Sequence, residues 1–345
     1  MKLTPGELYF IRERDKQTNE ISRYVKIGLV KEKDDRAAKE RALEHQTGNP
    51  RELLIHAVIK TPAISEIEKI VHGLFAPERV SGEWFDFSDA KLREAISTAQ
   101  ELANEANLYA NEMRNAAKLA KQISSNEVIQ PSTEALAWHG AFLRAEAISK
   151  YCNDFASSMK DIFRKKAEQR PESVQRFATF RERKDRLVFD AASFKLAHPD
   201  LFQQFTKKSK PVVSSRLTWT RPKDFNRAIE VLNPELYEYG KSLEPQIASA
   251  RNGTLDSETL HKRYLKILGF EARASWQLEI AKANIQFLCS THGGIDGICK
   301  WTRAEKETKS FDEPEFIKAF PDIAKQFMVS ESLTAALIID PRQGY

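Results

Sequence analysis

Near the start of the chain GELYFIR alternates apolar and polar residues, and RYVKIGLV resumes the alternation after a polar stretch from Glu13 to Ser22. Two short β-rich runs joined by a polar loop predict a hairpin. From Asp34 the pattern changes to DDRAAKERALEHQ, an acidic start followed by good helix formers, which predicts a helix stopped by TGNP. ELLIHAVIK predicts a third strand. AISEIEKIVHGLF sets Ile64, Ile67, Val71 and Phe75 at helical spacing, with Ser65 or Thr61 as a cap and Pro77 as the stop. The order β-β-α-β-α describes a small α/β domain over residues 1–97, its mixed or antiparallel sheet flanked by helices.

Residues 90–125 predict one long helix with Leu102, Tyr109, Met113, Ala116 and Ile123 as its apolar seam. Its part from 98 to 130 reads as a connector, either a spacer or a coiled-coil contact. Beyond NEVIQPSTEA the chain reads as helix punctuated by Pro and Gly, in two regions, 131–230 and 231–345. Each region holds one copy of a repeat: FDAASFKLAHPDLFQQF at 189–205 and FDEPEFIKAFPDIAKQF at 311–327. The shared pattern FDxxxFxxAxPDxxxQF matches at eight positions without a gap, which implies a duplicated helical unit. A short helix with Phe on one face, a Pro-Asp helix start and a second helix closing on Phe would account for it. Those phenylalanines read as core, and the purpose of the unit stays open.

Bulk composition narrows the class without naming it. The 345 residues exceed one compact core, and 41% hydrophobic with 30% charged residues is ordinary for a water-soluble globular chain. No run approaches the ~20 apolar residues of a membrane span, and MKLTPGELYF lacks the layout of a secretory signal. Cys152, Cys289 and Cys299 are odd in number and form no CxxC pair, so neither a disulfide framework nor a cysteine zinc site is expected. A cytoplasmic location without membrane contact is the expectation. The net charge of +5 is uneven: residues 1–100 carry 17 Lys/Arg and 17 Asp/Glu, whereas 160–227 carry 18 against 8. Such a basic segment is where a polyanion would dock.

The motifs GELYFIR, YVKIGLV, ERALEHQTGNP, EIEKIVHGLF and GEWF, in that order over residues 6–87, resemble the GIY-YIG nuclease superfamily, in its phage-type branch with KIG and QTGNP. The resemblance implies a metal-dependent endonuclease that hydrolyses phosphodiester bonds, with Mg²⁺ or Mn²⁺ as cofactor. It assigns Glu68 as metal ligand, Arg41 to the phosphate and Tyr9 to the water. Lys26 stands where many relatives carry a second tyrosine. It could orient water, touch phosphate or be an edge-strand lysine, so a weakly active or inactive scaffold that binds nucleic acid or serves assembly is the alternative reading. Arg36 is the second candidate for the arginine role. It lies five residues before Arg41, about 140° around a helix, so the two would not share one site. His45 could face the cleft beside Arg41. His72, four residues after Glu68 on one helix face, is either a supporting hydrogen-bonder or a packed histidine. Gly28 would allow close approach at a strand end. Asn49 and Glu83-Trp84-Phe85 read as shaping the domain.

In the basic segment Lys165, Lys166, Arg176, Arg181, Arg183, Lys184, Arg186, Lys207, Lys208, Lys210, Arg216, Trp219 and Arg221 mix cations with aromatics, as a surface tracking a nucleic-acid backbone does. A solvated helix face over a Phe core is the other reading. Residues 293–327, with GGIDGICKW ahead of the second repeat, bear a softer similarity to a helical accessory segment of YqaJ-type phage nucleases, without their acidic catalytic motifs. Taken together these features predict cleavage of nucleic acid, DNA above all, in a phage, prophage or anti-phage defence setting. The helical region would hold the substrate, and the long helix or helical region could recruit a second copy or a protein partner.

Overall fold

The computed structural model describes residues 3–34, 37–46, 49–181, 185–251, 256–331 and 336–339. Strands β1 (Gly6–Arg14) and β2 (Ile21–Lys31) form the expected hairpin. The Asp15 carboxylate accepts the backbone N–H groups of Gln17 and Thr18 in its loop, and Asn19 takes the left-handed conformation that asparagine tolerates. Helix α1 (Ala38–Gln46) starts later than the composition implied, because the Glu7 carboxylate on β1 accepts the Ala38 N–H at 2.8 Å and sets the first turn there. Strand β3 (Glu52–Thr61) pairs with β1, helix α2 (Ile64–Leu74) follows, and β4 (Arg79–Ser81) and β5 (Trp84–Asp86) complete an antiparallel sheet in the order β3-β1-β2-β5-β4. Strand alternation sends Leu8, Phe10, Val25, Ile27 and Ile59 to one face, under α2 and the long helix α3 (Asp89–Leu119). Tyr9, Ile11 and Val30 go to the other face, under Ala38 and Ala42 of α1.

The rest of the chain is mostly helical. It runs β6 (Val128–Ile129), α4 (Thr133–Gln169), β7 (Ala178–Arg181), β8 (Arg186–Phe189), α5 (Ala191–Ala197), α6 (Pro199–Gln204), β9 (Thr206–Lys208), β10 (Val212–Trp219), α7 (Ile229–Leu232) and α8 (Pro234–Arg251). Then come α9 (Ser257–Cys289), β11 (Gly294–Ile295), β12 (Cys299–Lys306), β13 (Lys309–Phe311), α10 (Glu313–Ala319), α11 (Pro321–Gln326), β14 (Met328–Glu331) and β15 (Ala336–Ile339). Helix α9 is the hub, packed on α4, α2 and α3. The seam of α3 that suggested a spacer or coiled coil is covered within the chain as far as Leu102, Met113 and Ala116, buried in the core that α9 completes, and Tyr109, edge-on to Trp138; the helix ends at Leu119, short of the expected 125 and of the connector's 130, and Ile123 beyond it is exposed.

Strands in this half are the main departure from a purely helical reading. A four-stranded sheet runs β10-β12-β11-β6, and three further two-stranded ladders accompany it. Apart from the local β11–β12 pair, their partners lie far apart in sequence, and pairing at such distance leaves no local periodicity to read.

Those ladders explain the repeat. Strand β8 pairs with β14, and β9 with β13, so each copy of the unit lends its strands to the other. The registers are related by a pseudo-twofold: Phe189 faces Met328, as Phe311 faces Thr206. Asp190 donates its N–H to Phe327 O, as Asp312 does to Phe205 O, both at 2.8 Å. The repeated residues are the parts such a unit needs. Asp190 and Asp312 cap α5 and α10, Pro199 and Pro321 open α6 and α11, and Phe194 packs on Phe316 with ring centres 4.4 Å apart. Because Phe194 and Phe316 are both fully buried in one shared cluster, Phe194→Ala and Phe316→Ala should each cost about 3–5 kcal/mol. Urea unfolding of the two variants should give matching losses, and a large difference between them would refute the shared core.

Candidate active site

The predicted residues converge where β5 stops. Strand β5 pairs with β2 only from Tyr24 to Lys26, and the last bond, Ile27 N–H to Glu83 O, is 3.0 Å. Past that point no strand pairs with the outer edge of β2 among the described residues, His72 Nε2 lies 3.0 Å from Ile27 O, and Gly28 is the next residue. Tyr9 sits opposite Gly28 on β1. A methyl group on Gly28 would come within 2.5 Å of the phenol Cζ, so the glycine is what lets the tyrosine ring lie across β2.

The ring is 1% exposed. Burial, and after it the negative charge of Glu83, push the Tyr9 phenol up to about 12. Arg41 on α1 pulls the other way, by its charge and by donating a hydrogen bond to the phenol oxygen, while Glu68 on α2 adds to the rise. Arg41 also pairs with Glu44, which is the largest cause holding its guanidinium above its usual range. Lys26 points into the same space and pairs with Glu83 at 3.1 Å. His45, one turn after Arg41, is held below the ordinary histidine range by burial and then by the positive charges of Lys26 and Arg41. Its Nε2 is buried without a hydrogen-bond partner among the described residues.

The structure therefore brings Tyr9, Lys26, Arg41, His45 and Glu68 into one electrostatic neighbourhood. It adds Glu83, which the motif GEWF had suggested only as a shaping residue. The sequence marked Glu83 only through GEWF, because its place beside Lys26 comes from the β2–β5 register. His72 is placed differently from the others. Its ring is buried on α2, with Nε2 3.0 Å from Ile27 O and its edge on Phe85, so it fastens α2 to β2 and β5. The buried Arg79 guanidinium bonds His72 O and Gly82 O, continuing that brace. Glu68 lines a cavity with Lys69, His72, Arg79 and, from α9, Leu265 and Leu268. Asn49 bonds Glu13 and helps shape the end of the sheet. Arg36 lies outside the described residues.

Among the described residues no group of three or more His, Cys, Asp or Glu could enclose a metal ion. A single hard carboxylate, the role the resemblance assigns to Glu68, suits Mg²⁺ or Mn²⁺ that keeps waters and takes its other ligands from substrate phosphate. It does not fit zinc in an all-protein cage.

The basic segment divides. Lys207 pairs with Asp312 at 2.7 Å and with Glu315, Lys208 with Glu307, Arg186 with Glu331, and Arg221 forks onto Glu146. These cations are balanced by acids from distant sequence, which the local charge count could not show. Trp219 is stacked on Phe142 at 4.0 Å and half-buried. Lys166 is half-buried near the end of α4, whereas Lys165, Arg176, Lys210 and Arg216 are exposed. Arg183 and Lys184 fall outside the described residues, and Arg181 is described only as part of β7.

Since Gly28 and Tyr9 interlock, Gly28→Ala should destabilise the fold by about 1–3 kcal/mol. Combined with Tyr9→Leu it should cost less than the sum of the single changes. Additive losses in thermal or urea unfolding would disprove the interlock.

Among the described residues no helix is long and apolar enough to cross a membrane. No curated protein and no solved structure matches the chain. Residues 6–100, from the start of β1 into α3, match the family model of the T5orf172 domain.

Proposed function

We propose that this chain is a metal-dependent endonuclease that hydrolyses phosphodiester bonds in DNA, in a phage, prophage or anti-phage defence setting. The observation that carries the reading is the cluster of polar side chains around Tyr9 and Gly28. Tyr9, Arg41, Lys26 and His45 gather there with their charges balanced by Glu83, and Glu68 acts on the same phenol. A matched T5orf172 domain over these same elements supports it.

The roles follow from the protonation states. His45 is neutral near pH 7, and its unpartnered Nε2 can accept the proton of an attacking water. Tyr9, with its pKa raised to about 12, keeps its proton at neutral pH. Its oxygen accepts from Arg41, so its own O–H is left to donate to the water or to a phosphate oxygen. Arg41 and Lys26 supply positive charge where the transition state accumulates negative charge. Glu83 holds the Lys26 ammonium in place. A divalent cation at Glu68 would supply further charge neutralisation on the phosphate. The α2 brace through His72 keeps Glu68 at a fixed distance from β2.

Cleavage of plasmid or linear duplex with Mg²⁺ or Mn²⁺ should fall at least a hundredfold in Glu68→Ala, on the order expected for losing a main transition-state interaction. Unchanged cleavage would remove this active site, and absence of cleavage by the parent chain under all metals would favour a binding scaffold. The rate should be flat from neutral pH towards pH 9, because Tyr9 titrates far above that range. It should fall on the acid side below the ordinary histidine value of about 6.5, as His45 protonates. An acid limb centred above pH 7, or one that persists unchanged in His45→Ala, would rule out His45 as the base.

A further inference from the structure

We propose that the outer face of the β10–β12 ribbon is the surface on which this chain docks duplex DNA, through Arg216, Lys300 and Lys306. The proposal rests on the nuclease reading for its choice of ligand, but not on which residues cut. Strand parity defines the face. Leu217 pairs with Trp301, Trp219 with Cys299 and Ser215 with Arg303, and these pairs face inward, Trp301 Nε1 donating to Ser215 Oγ at 2.8 Å. The alternate pairs, Ser214–Ala304, Arg216–Thr302 and Thr218–Lys300, with Val212–Lys306 at the end, face solvent, and all are exposed.

Among the described residues of β10 and β12 no acid shares that face. Glu305 pairs with Val213 and alternates to the inner side, and Glu307 is engaged by Lys208. Arg216, Lys300 and Lys306 have no acidic partner among the described residues, in contrast to Lys207, Arg186 and Arg221, which do. Hydroxyls of Ser214, Thr218 and Thr302 lie between the cations. A surface of unbalanced cations and hydroxyls is complementary to phosphates, whereas a protein partner would call for apolar area. Shape agrees. Strand β11 reaches only Cys299 and Lys300, so from Thr302 outward the element is two strands wide among the described residues. A two-stranded antiparallel ribbon is narrow enough for the major groove, about 12 Å across. Only Arg216 of these three belongs to the basic segment of the sequence. Lys300 and Lys306 join it through strand pairing across some eighty residues.

The test uses the full chain carrying Glu68→Gln, so that DNA stays intact, and reads anisotropy of a labelled blunt duplex across a salt series. Replacing Arg216, Lys300 and Lys306 together by Ala should weaken binding at least tenfold. It should also lower the slope of log affinity against log salt by about 0.9 for each phosphate that is no longer neutralised. Removing the same charge at Lys150, Lys241 and Lys325, on α4, α8 and α11, should change affinity less than twofold. If the triple variant fails to fold, Arg216→Gln and Lys300→Gln alone carry the test, each lowering the slope by about one unit. Parent-like affinity and slope in the ribbon variant overturn the proposal, as does tighter binding of single-stranded RNA than of the duplex. Ribbon-dependent binding by a parent chain that never cleaves would instead leave this surface standing and remove the nuclease reading.

Discussion

Helix α2 has to lie against the sheet and against α9 at once, and Gly73 on Gly269 is the contact that permits it. A side chain at Gly73 would begin 2.8 Å from Gly269 N, and one at Gly269 would begin 2.9 Å from Gly73 Cα. With neither present the two backbones touch, and α9 carries Leu265 and Leu268 up to the cavity beside Glu68. The wall of the candidate site thus comes from a helix nearly two hundred residues away. Other contacts hold α9 in that position. Glu105 on α3 accepts from Arg273 and from Trp276 Nε1 of α9. Arg303, 1% exposed, donates to Leu119 O, Ser290 O and His292 O, which satisfies carbonyls at the ends of both helices.

Over Gly28 a buried phenol and a half-buried imidazole lie beside two cations and an acid, and burial acts on both rings in the direction of neutrality. Glu83 gives Lys26 a fixed position beside them.

The duplicated unit solves a packing problem with few residues. Each copy is too small to bury its own phenylalanines, and exchanging strands across the pseudo-twofold makes one core from two halves. Lys207 on Asp312 and Glu315, and Arg186 on Glu331, then join the copies at their rims. In β10 and β12, by contrast, cations without an acidic partner among the described residues share one face.

Local periodicity was enough to determine the N-terminal elements, since alternating Leu8, Phe10, Val25 and Ile27 and the helical spacing of Ile64, Ile67 and Val71 depend only on neighbours in sequence. The motif residues Tyr9, Lys26, Arg41, His45 and Glu68 were legible too, because each stands in a short pattern that needs no distant partner. The repeat was legible for the same reason, its Asp caps, Pro starts and Phe positions being local requirements. Only the tertiary structure decided that Glu83 joins Lys26, that His72 braces α2 against Ile27 O, and that the seam of α3 is covered by α9. It also decided which cations of the basic segment are already paired. Each of these rests on strand register or helix crossing between residues far apart in the chain, and such contacts are set by the packing of the whole, which leaves no period in the sequence.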